Sequence, residues 1–312
     1  MSTITPHSQA VVGHPTFVRE LRPTNWLDLN RLLFSNAWNE NIQRFRSDFV
    51  YKGLGDARWD LRTTLIRLGG NFGELERSLL RNFRKYAMRS PVRHESEWGW
   101  LAVAQHHGLT TRLLDCTYSP YVALHFATDN LEQYDRDGVI WCVHYVEVHK
   151  MLPAKLRAML KRERSNAFTA EMLDAAGLSL GGLEKLSRKP YAMFFEPPSL
   201  DDRIVNQFAL FSLMSSPAAQ IDGWLEEQKS DLVYRIVVPR KLKWEIRDKL
   251  DQANITERVL FPGLDGLSQW LRRHYTPKNE TVLADETDSA AHSPERRTME
   301  QKNGTTTRRR RG

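Results

Sequence analysis

Residues 139–148, VIWCVHYVEV, constrain the fold more than any other stretch of this chain. The run is β-branched and aromatic, and it is apolar on both faces up to its middle. That is the composition of a central strand, flanked on each edge and covered on each face by packed layers. The rest of the sequence has to supply those neighbours and layers.

Candidates for both are present. Helical spacing runs through residues 26–39, where Leu27, Leu29, Leu32, Leu33 and Trp38 form one apolar stripe, and again through residues 72–88. Residues 95–107 are apolar on most sides, as a buried helix is, with Gly108 placed to follow its last turn. Ser119-Pro120 opens a helix that runs to Thr128, the serine as N-cap and the proline at the first helical position. Residues 151–186 read as helical and highly charged, and residues 241–253 and 264–275 as further helices. Strands are expected at 49–53, ending at a glycine turn, at 191–195, halted by Pro197-Pro198, and at 208–214 and 231–238. Residues 109–116 read as extended and 259–261 as a short strand. This order predicts an α+β fold, with a single mixed or antiparallel sheet as the core and helices packed on it.

The ends differ from this body. Residues 1–20 read as a flexible N-terminus and residues 21–275 as one domain. Residues 276–312 are rich in Thr, Asn, Ser, Glu and Arg and bury too little apolar surface to offset their ordering entropy, so they read as a disordered tail. The tail holds 8 Lys/Arg against 6 Asp/Glu, which assigns it +2 of the chain's net +7 and leaves +5 to the body. Its closing cluster, Arg308 to Arg311, suits an acidic partner or nucleic acid, and equally a solvated end with no specific partner. Apolar runs stay well short of the roughly 20 residues that span a bilayer. The first residues, MSTITPHSQAVVGHPTF, lack the charged and apolar regions of a secretory signal. The two cysteines, Cys116 and Cys142, sit apart in apolar runs, as small hydrophobes do in a reducing compartment, and no ligand spacing points to a metal. A cytoplasmic protein is the expectation.

Four segments set polar groups among apolar ones. In Tyr51-Lys52-Gly53 the lysine sits at a strand end beside a glycine, where it either holds an anion or faces solvent. In residues 104–117, AQHHGLTTRLLDCT, adjacent His106 and His107 cannot face the same way on a helix. Arg112 and Asp115 fall on opposite faces of an extended segment there. This stretch is either a hydrogen-bonded network that fixes a turn or part of a site. Ser119 caps a helix whose N-terminus also favours anions. In residues 203–211, RIVNQFALF, Arg203 and Gln207 are neighbours if that start is helical. Gln207 then serves a sugar or is satisfied by backbone.

Together these segments resemble the FRG-domain family. Tyr51-Lys52-Gly53 with Trp59, Leu61 and Arg67 is similar to its opening motif. Residues 104–115, AQHHGLTTRLLD, are similar to its most specific stretch, and Ser119-Pro120 with Ala123-Leu-His-Phe-Ala127 continues it. Residues 203–207 and 261–267 resemble later motifs. Two positions depart from the family pattern: Lys52 stands for an arginine and Cys116 for a tryptophan. Lysine keeps the charge without the planar fork of a guanidinium.

The resemblance implies a distant likeness to the ADP-ribosyltransferase fold and a setting in bacterial or phage proteins close to defence or toxin modules. It implies NAD as co-substrate and a protein or nucleic-acid acceptor of open identity; ligand spacing and hydropathy, as above, lead to the expectation of no metal and no membrane partner. By order along the chain, the catalytic positions would be Lys52, Ser119 and Gln207. The substrate-contacting positions would be Tyr51, Gly53, Arg67, His107, Arg112, Asp115 and Arg203. Cleavage of the nicotinamide–ribose bond through an oxocarbenium-like transition state is the chemistry such a site would perform. A module that senses a nucleotide or binds a protein without turnover is the alternative. Nucleic-acid binding by the body lacks a known motif or an aromatic-basic stripe.

Overall fold

The β-branched run lies at the heart of an eight-stranded sheet in the computed structural model, which describes residues 18–87, 96–199, 201–228 and 231–278. The strands are β1 (Arg19–Leu21), β2 (Trp38–Asn39), β3 (Arg44–Phe45), β4 (Phe49–Leu54), β5 (Leu114–Thr117), β6 (Gly138–His144), β7 (Phe168–Thr169), β8 (Ala192–Glu196), β9 (Ala209–Met214) and β10 (Val233–Val238). β2 and β3 make a separate hairpin. The others are ordered β1-β10-β6-β4-β5-β9-β8-β7. Pairings at the two edges, β1 with β10 and β7 with β8, are parallel; those between are antiparallel. The expected mixed sheet covered by helices is what the chain forms. Every element described here precedes Tyr275, where a second unit of the chain begins. Among the described residues no helix is long and apolar enough to cross a membrane. The expectations for residues 1–17 and for the tail past Lys278, its four arginines included, lie outside the described residues.

Pleating divides β6 between two cores. Ile140 and Cys142 face one side with Phe49, Tyr51 and Ile236, under helices α1 (Trp26–Leu33) and, later in the chain, residues 120–126 and 243–252. Val139, Trp141 and Val143 face the other side with Val50 and Val233. A third cluster forms around Trp98, Leu101, Phe168 and Phe195. It joins β7–β9 to the helices α3 (Phe72–Ala87) and α4 (Glu97–His106), mainly through α4, whose residues 98–104 are all buried; α2 (Thr64–Leu68) precedes them in the chain. The helix α5 (Pro120–Phe126) has Ser119 as its N-cap, the hydroxyl accepting from the Val122 N–H at 3.3 Å.

Four expectations need correction. The central strand ends at His144, and residues 145–150 are a helix, α6 (Tyr145–Lys150), capped by the His144 ring. Tyr145, Val148 and His149 are buried at helical spacing, so tertiary packing selects helix over the β preference of the residue types. Residues 26–39 are helical only to Leu33; Leu27 of the presumed stripe is 79% exposed and Trp38 belongs to the hairpin. The charged 151–186 region is α7 (Ala154–Glu163), edge strand β7, α8 (Ala170–Ala175) and α9 (Leu180–Glu184), with Thr169 and Ser179 capping the last two. Downstream lie α10 (Asp202–Asn206), α11 (Ile221–Glu226) and α12 (Lys243–Gln252). Residues 259–261 are not a strand: Val259 and Leu260 close the short helix α13 (Glu257–Leu260), which Thr256 caps, and α14 (Leu264–His274) follows.

α5 lies on β4 and β6 at backbone contact. A Cβ on Gly53 would stand 1.7 Å from the Ala123 carbonyl oxygen, and one on Gly138 would stand 2.7 Å from that of Ala127. Gly53→Ala is therefore expected to cost about 1–3 kcal/mol or more, read as a lower urea midpoint. Gly73→Ala, in α3 with open space around its Cα, is the control and should be neutral or stabilising.

Candidate ligand-binding cleft

β4 and β5 share one registered pair, Tyr51 with Thr117, and then part. A cavity of about 370 Å³ opens where they separate, a size typical of small-molecule sites. Its walls come from residues 51–55 at the end of β4, from residues 115–117 of β5, from the C-terminal ends of α4 and α5, and from α10 with Gln207. Behind one wall the buried Lys243 ammonium donates to the Gly55 and Gln133 carbonyls at 2.8 and 2.7 Å. Burial lowers its pKa to about 8. Two bonds to backbone oxygen thus hold the turn after β4 against the residues after α5.

Lys52 and Gln207 converge on this cavity, as expected. The Lys52 ammonium donates to the Asp115 main-chain oxygen at 2.9 Å, which spans the gap between the parting strands and leaves its other N–H donors for a ligand. The Gln207 amide donates to the Leu260 carbonyl at 2.9 Å, and its main-chain oxygen accepts from the Thr117 hydroxyl at 2.7 Å. Gln207 ends α10, and Phe208 follows with φ +51°. A bulky residue in this left-handed position, where glycine usually sits, is strained backbone beside the site. Asp115 lines the cavity and its carboxylate accepts from the Gln105 amide at 3.1 Å. Arg203 lies over the Phe261 ring at 4.8 Å and lines the opposite wall. Tyr51 also lines the cavity, but its hydroxyl is tied to Ser47 at 3.0 Å and burial pushes its pKa to about 12. Gly53 belongs to the lining too, although its missing side chain makes room for α5 rather than for a ligand.

Four expected residues fall elsewhere. Ser119 is outside the lining and spends its hydroxyl on the N-cap; Thr117, two residues earlier, is in the lining, its hydroxyl bonded to the Gln207 carbonyl and the Ser119 N–H. His107 is exposed at the end of α4, and its neighbour His106 takes the cavity side, because adjacent helical residues diverge. Arg67 is exposed on α2 and outside the lining. Arg112 is buried, with Nε 2.8 Å from both Glu76 carboxylate oxygens, Nη2 also on Glu76, and Nη1 donating to the Ser215 carbonyl at 2.8 Å. It ties α3 to the end of β9 and has no access to a ligand. As expected, Arg112 and Asp115 find separate partners.

The sequence reading missed His106 and Asp129. His106 Nε2 lies 2.7 Å from an Asp201 carboxylate oxygen. Burial lowers its pKa, opposed by Asp201. Asp129 follows α5 and lines the cavity; burial pushes its pKa up to about 6, opposed by the Arg247 guanidinium. Its signal was a lone Asp-Asn after a helix, which any turn shares. Cys116 reaches the cavity wall, where burial pushes the thiol to about 11, and Cys142 is buried within the sheet. Among the described residues no group of three or more His, Cys, Asp or Glu side chains is placed to hold a metal ion.

The contrast between Arg112 and Arg67 is measurable. Arg112→Ala leaves the Glu76 carboxylate buried without its partner and should cost about 3–5 kcal/mol in chemical denaturation. Arg67→Ala, at an exposed position, should stay within about 0.5 kcal/mol of the wild type.

Residues 47–136 match the FRG domain family. No curated protein and no solved structure matches the chain. The matched segment supplies β4, β5, α4 and α5, and with them Lys52, Gln105, His106, Asp115, Thr117 and Asp129 of the cavity. Arg203 and Gln207 reach the same cavity from beyond it. The opening motif and the histidine-rich stretch that carried the resemblance both fall within the match, and residues 47–136 of the chain are an FRG domain.

Proposed function

We propose that the cleft binds a dinucleotide of the NAD type and that the protein cleaves its nicotinamide–ribose bond, passing ADP-ribose to water or to a macromolecular acceptor. The observation that carries this reading is the meeting of Lys52, Asp115 and Gln207 on one cavity at the point where β4 and β5 part. Lys52 and Arg203 supply cations for a pyrophosphate. Trp59, 41% exposed at the cavity, offers an indole face for a base or a nicotinamide ring. As the bond to nicotinamide breaks, positive charge builds on the ribose, and a carboxylate held in place beside it lowers that barrier. Asp115, anchored by Gln105, fills that role, and the Gln207 amide serves the ribose hydroxyls. The reading puts the activity in the cytoplasm, where NAD is available, and in the defence or toxin setting that the family resemblance implies.

A second reading, nucleotide sensing without turnover, is favoured by one observation: Ser119, the expected hydroxyl member of a catalytic set, is outside the lining. Incubation of the purified protein with NAD, followed by mass spectrometry of small molecules and of added macromolecules, separates the two. Cleavage predicts free nicotinamide, with Asp115→Asn slowing its release by about 10²–10³-fold while NAD still raises the melting temperature. Gln207→Ala should also slow release, and Lys52→Ala should shrink the NAD-induced thermal shift. Stabilisation by NAD without any nicotinamide leaves the sensing reading. The absence of both overturns the assignment of the cleft to NAD.

A further inference from the structure

His106, in the wall of the cleft, pairs with Asp201, the N-cap residue of α10 outside the lining, and the proposed cleavage leaves this dyad unused. Departure of nicotinamide takes the electron pair of the glycosidic bond and needs no proton. The incoming acceptor does need a base, because its oxygen forms the new bond to the ribose carbon and must shed its hydrogen. Among the residues that line the cavity, His106 is the only histidine. Asp201 lies 2.7 Å from its Nε2. A carboxylate only accepts, so Nε2 carries the proton and the lone pair rests on Nδ1. This is the tautomer and restraint that a general base requires.

Competing groups in the cavity suit the role less well. Burial holds the Cys116 sulfur as a thiol at neutral pH, and Lys52 acts as a donor, to the Asp115 carbonyl and to the pyrophosphate, not as a base. Asp115 is needed against the developing cation. Asp129 is the one rival, a carboxyl on the α5 side of the cavity. The charges facing His106 are Asp201 and Arg203 from the α10 segment and His107 from its own helix. Desolvation, Arg203 and His107 all favour the neutral ring, and Asp201 opposes them. A neutral ring at physiological pH is the state that can accept a proton.

We propose that His106 is the general base that activates the acceptor of ADP-ribose, with Asp201 as its positioning residue; this rests on the cleavage reading above. In the step, the C1′–N bond breaks with its electrons leaving on nicotinamide. The acceptor oxygen forms the C1′–O bond, and its proton passes to His106 and then to solvent. NAD and acceptor give nicotinamide, ADP-ribosylated acceptor and one proton.

The test is kcat and KM for nicotinamide release against pH, on the full-length protein and three variants. The wild type should lose kcat towards acid, with an apparent pKa below the ordinary histidine value, because the base must be unprotonated. His106→Gln should lower kcat by about 10²–10⁴-fold, leave KM little changed and abolish the acid limb. Asp201→Asn should lower kcat and move the limb to more acid pH, since the carboxylate that stabilises the imidazolium is gone. NAD-induced thermal stabilisation in each variant reports that it folds and binds. An acid limb that survives in His106→Gln, or that disappears in Asp129→Asn instead, overturns the proposal while the cleavage reading stands. A change confined to KM overturns it as well. A wild type that releases no nicotinamide removes both.

Discussion

The close approach of α5 to β4 and β6 sets the position of everything in the cleft. Gly53 and Gly138 let the helix backbone settle onto the sheet where any side chain would collide with the Ala123 or Ala127 carbonyl. A helix held that near delivers Phe126, Asp129 and Asn130 to the place where β4 runs out. Steric exclusion sets this distance, so it does not depend on solvent or charge state. The buried Lys243 completes the arrangement from behind by bonding to a carbonyl on each side of that junction. An ammonium there is costly to desolvate, which is why burial depresses its pKa, and bonds to two backbone oxygens offset that cost.

The sheet itself makes the opening. Antiparallel strands that stayed in register would close the gap between β4 and β5 with ladder bonds. Here a single pair is followed by separation, and the Lys52 side chain spans the gap instead. Strong walls surround this weak seam: β6 is paired along its length on both sides, and the Arg112–Glu76 pair fastens α3 to the end of β9. Lys52, Asp115 and Gln207 are therefore mounted at the ends of packed elements and tied by hydrogen bonds, which holds their positions in the cavity wall.

Much of the scaffold could be read from residue patterns. The central strand, the strands at 192–196, 209–214 and 233–238, the buried helix over 97–106 and the Ser119-Pro120 helix start all follow from local rules of periodicity and capping. Errors arose where two local rules compete. Residues 145–150 have β composition and a helical burial pattern, and packing chose the helix. Residues 259–261 are apolar enough for a strand, but Thr256 caps a helix and Glu257 anchors it through Arg273. For the site, Lys52 and Gln207 stood out only through the resemblance to the family's motifs, and both line the cavity while each donates to a backbone carbonyl. Arg112 was misplaced because the same polar density arises in a buried ion pair, and its partner Glu76 lies in a different segment of the chain.

By itself the sequence determined the mixed, helix-covered sheet, the strand at its centre and the polar residues set among the apolar segments, since these depend on the types and spacing of neighbours along the chain. Tertiary structure alone decided which of those residues share a cavity. It turned His106 inward and His107 outward, put Thr117 rather than Ser119 on the wall, added Asp129 to the lining and set Asp201 beside His106. The physical reason is that a cleft is defined by where two strands stop pairing and by which helix ends crowd that gap. Both are set by long-range packing and register, which local patterns do not encode.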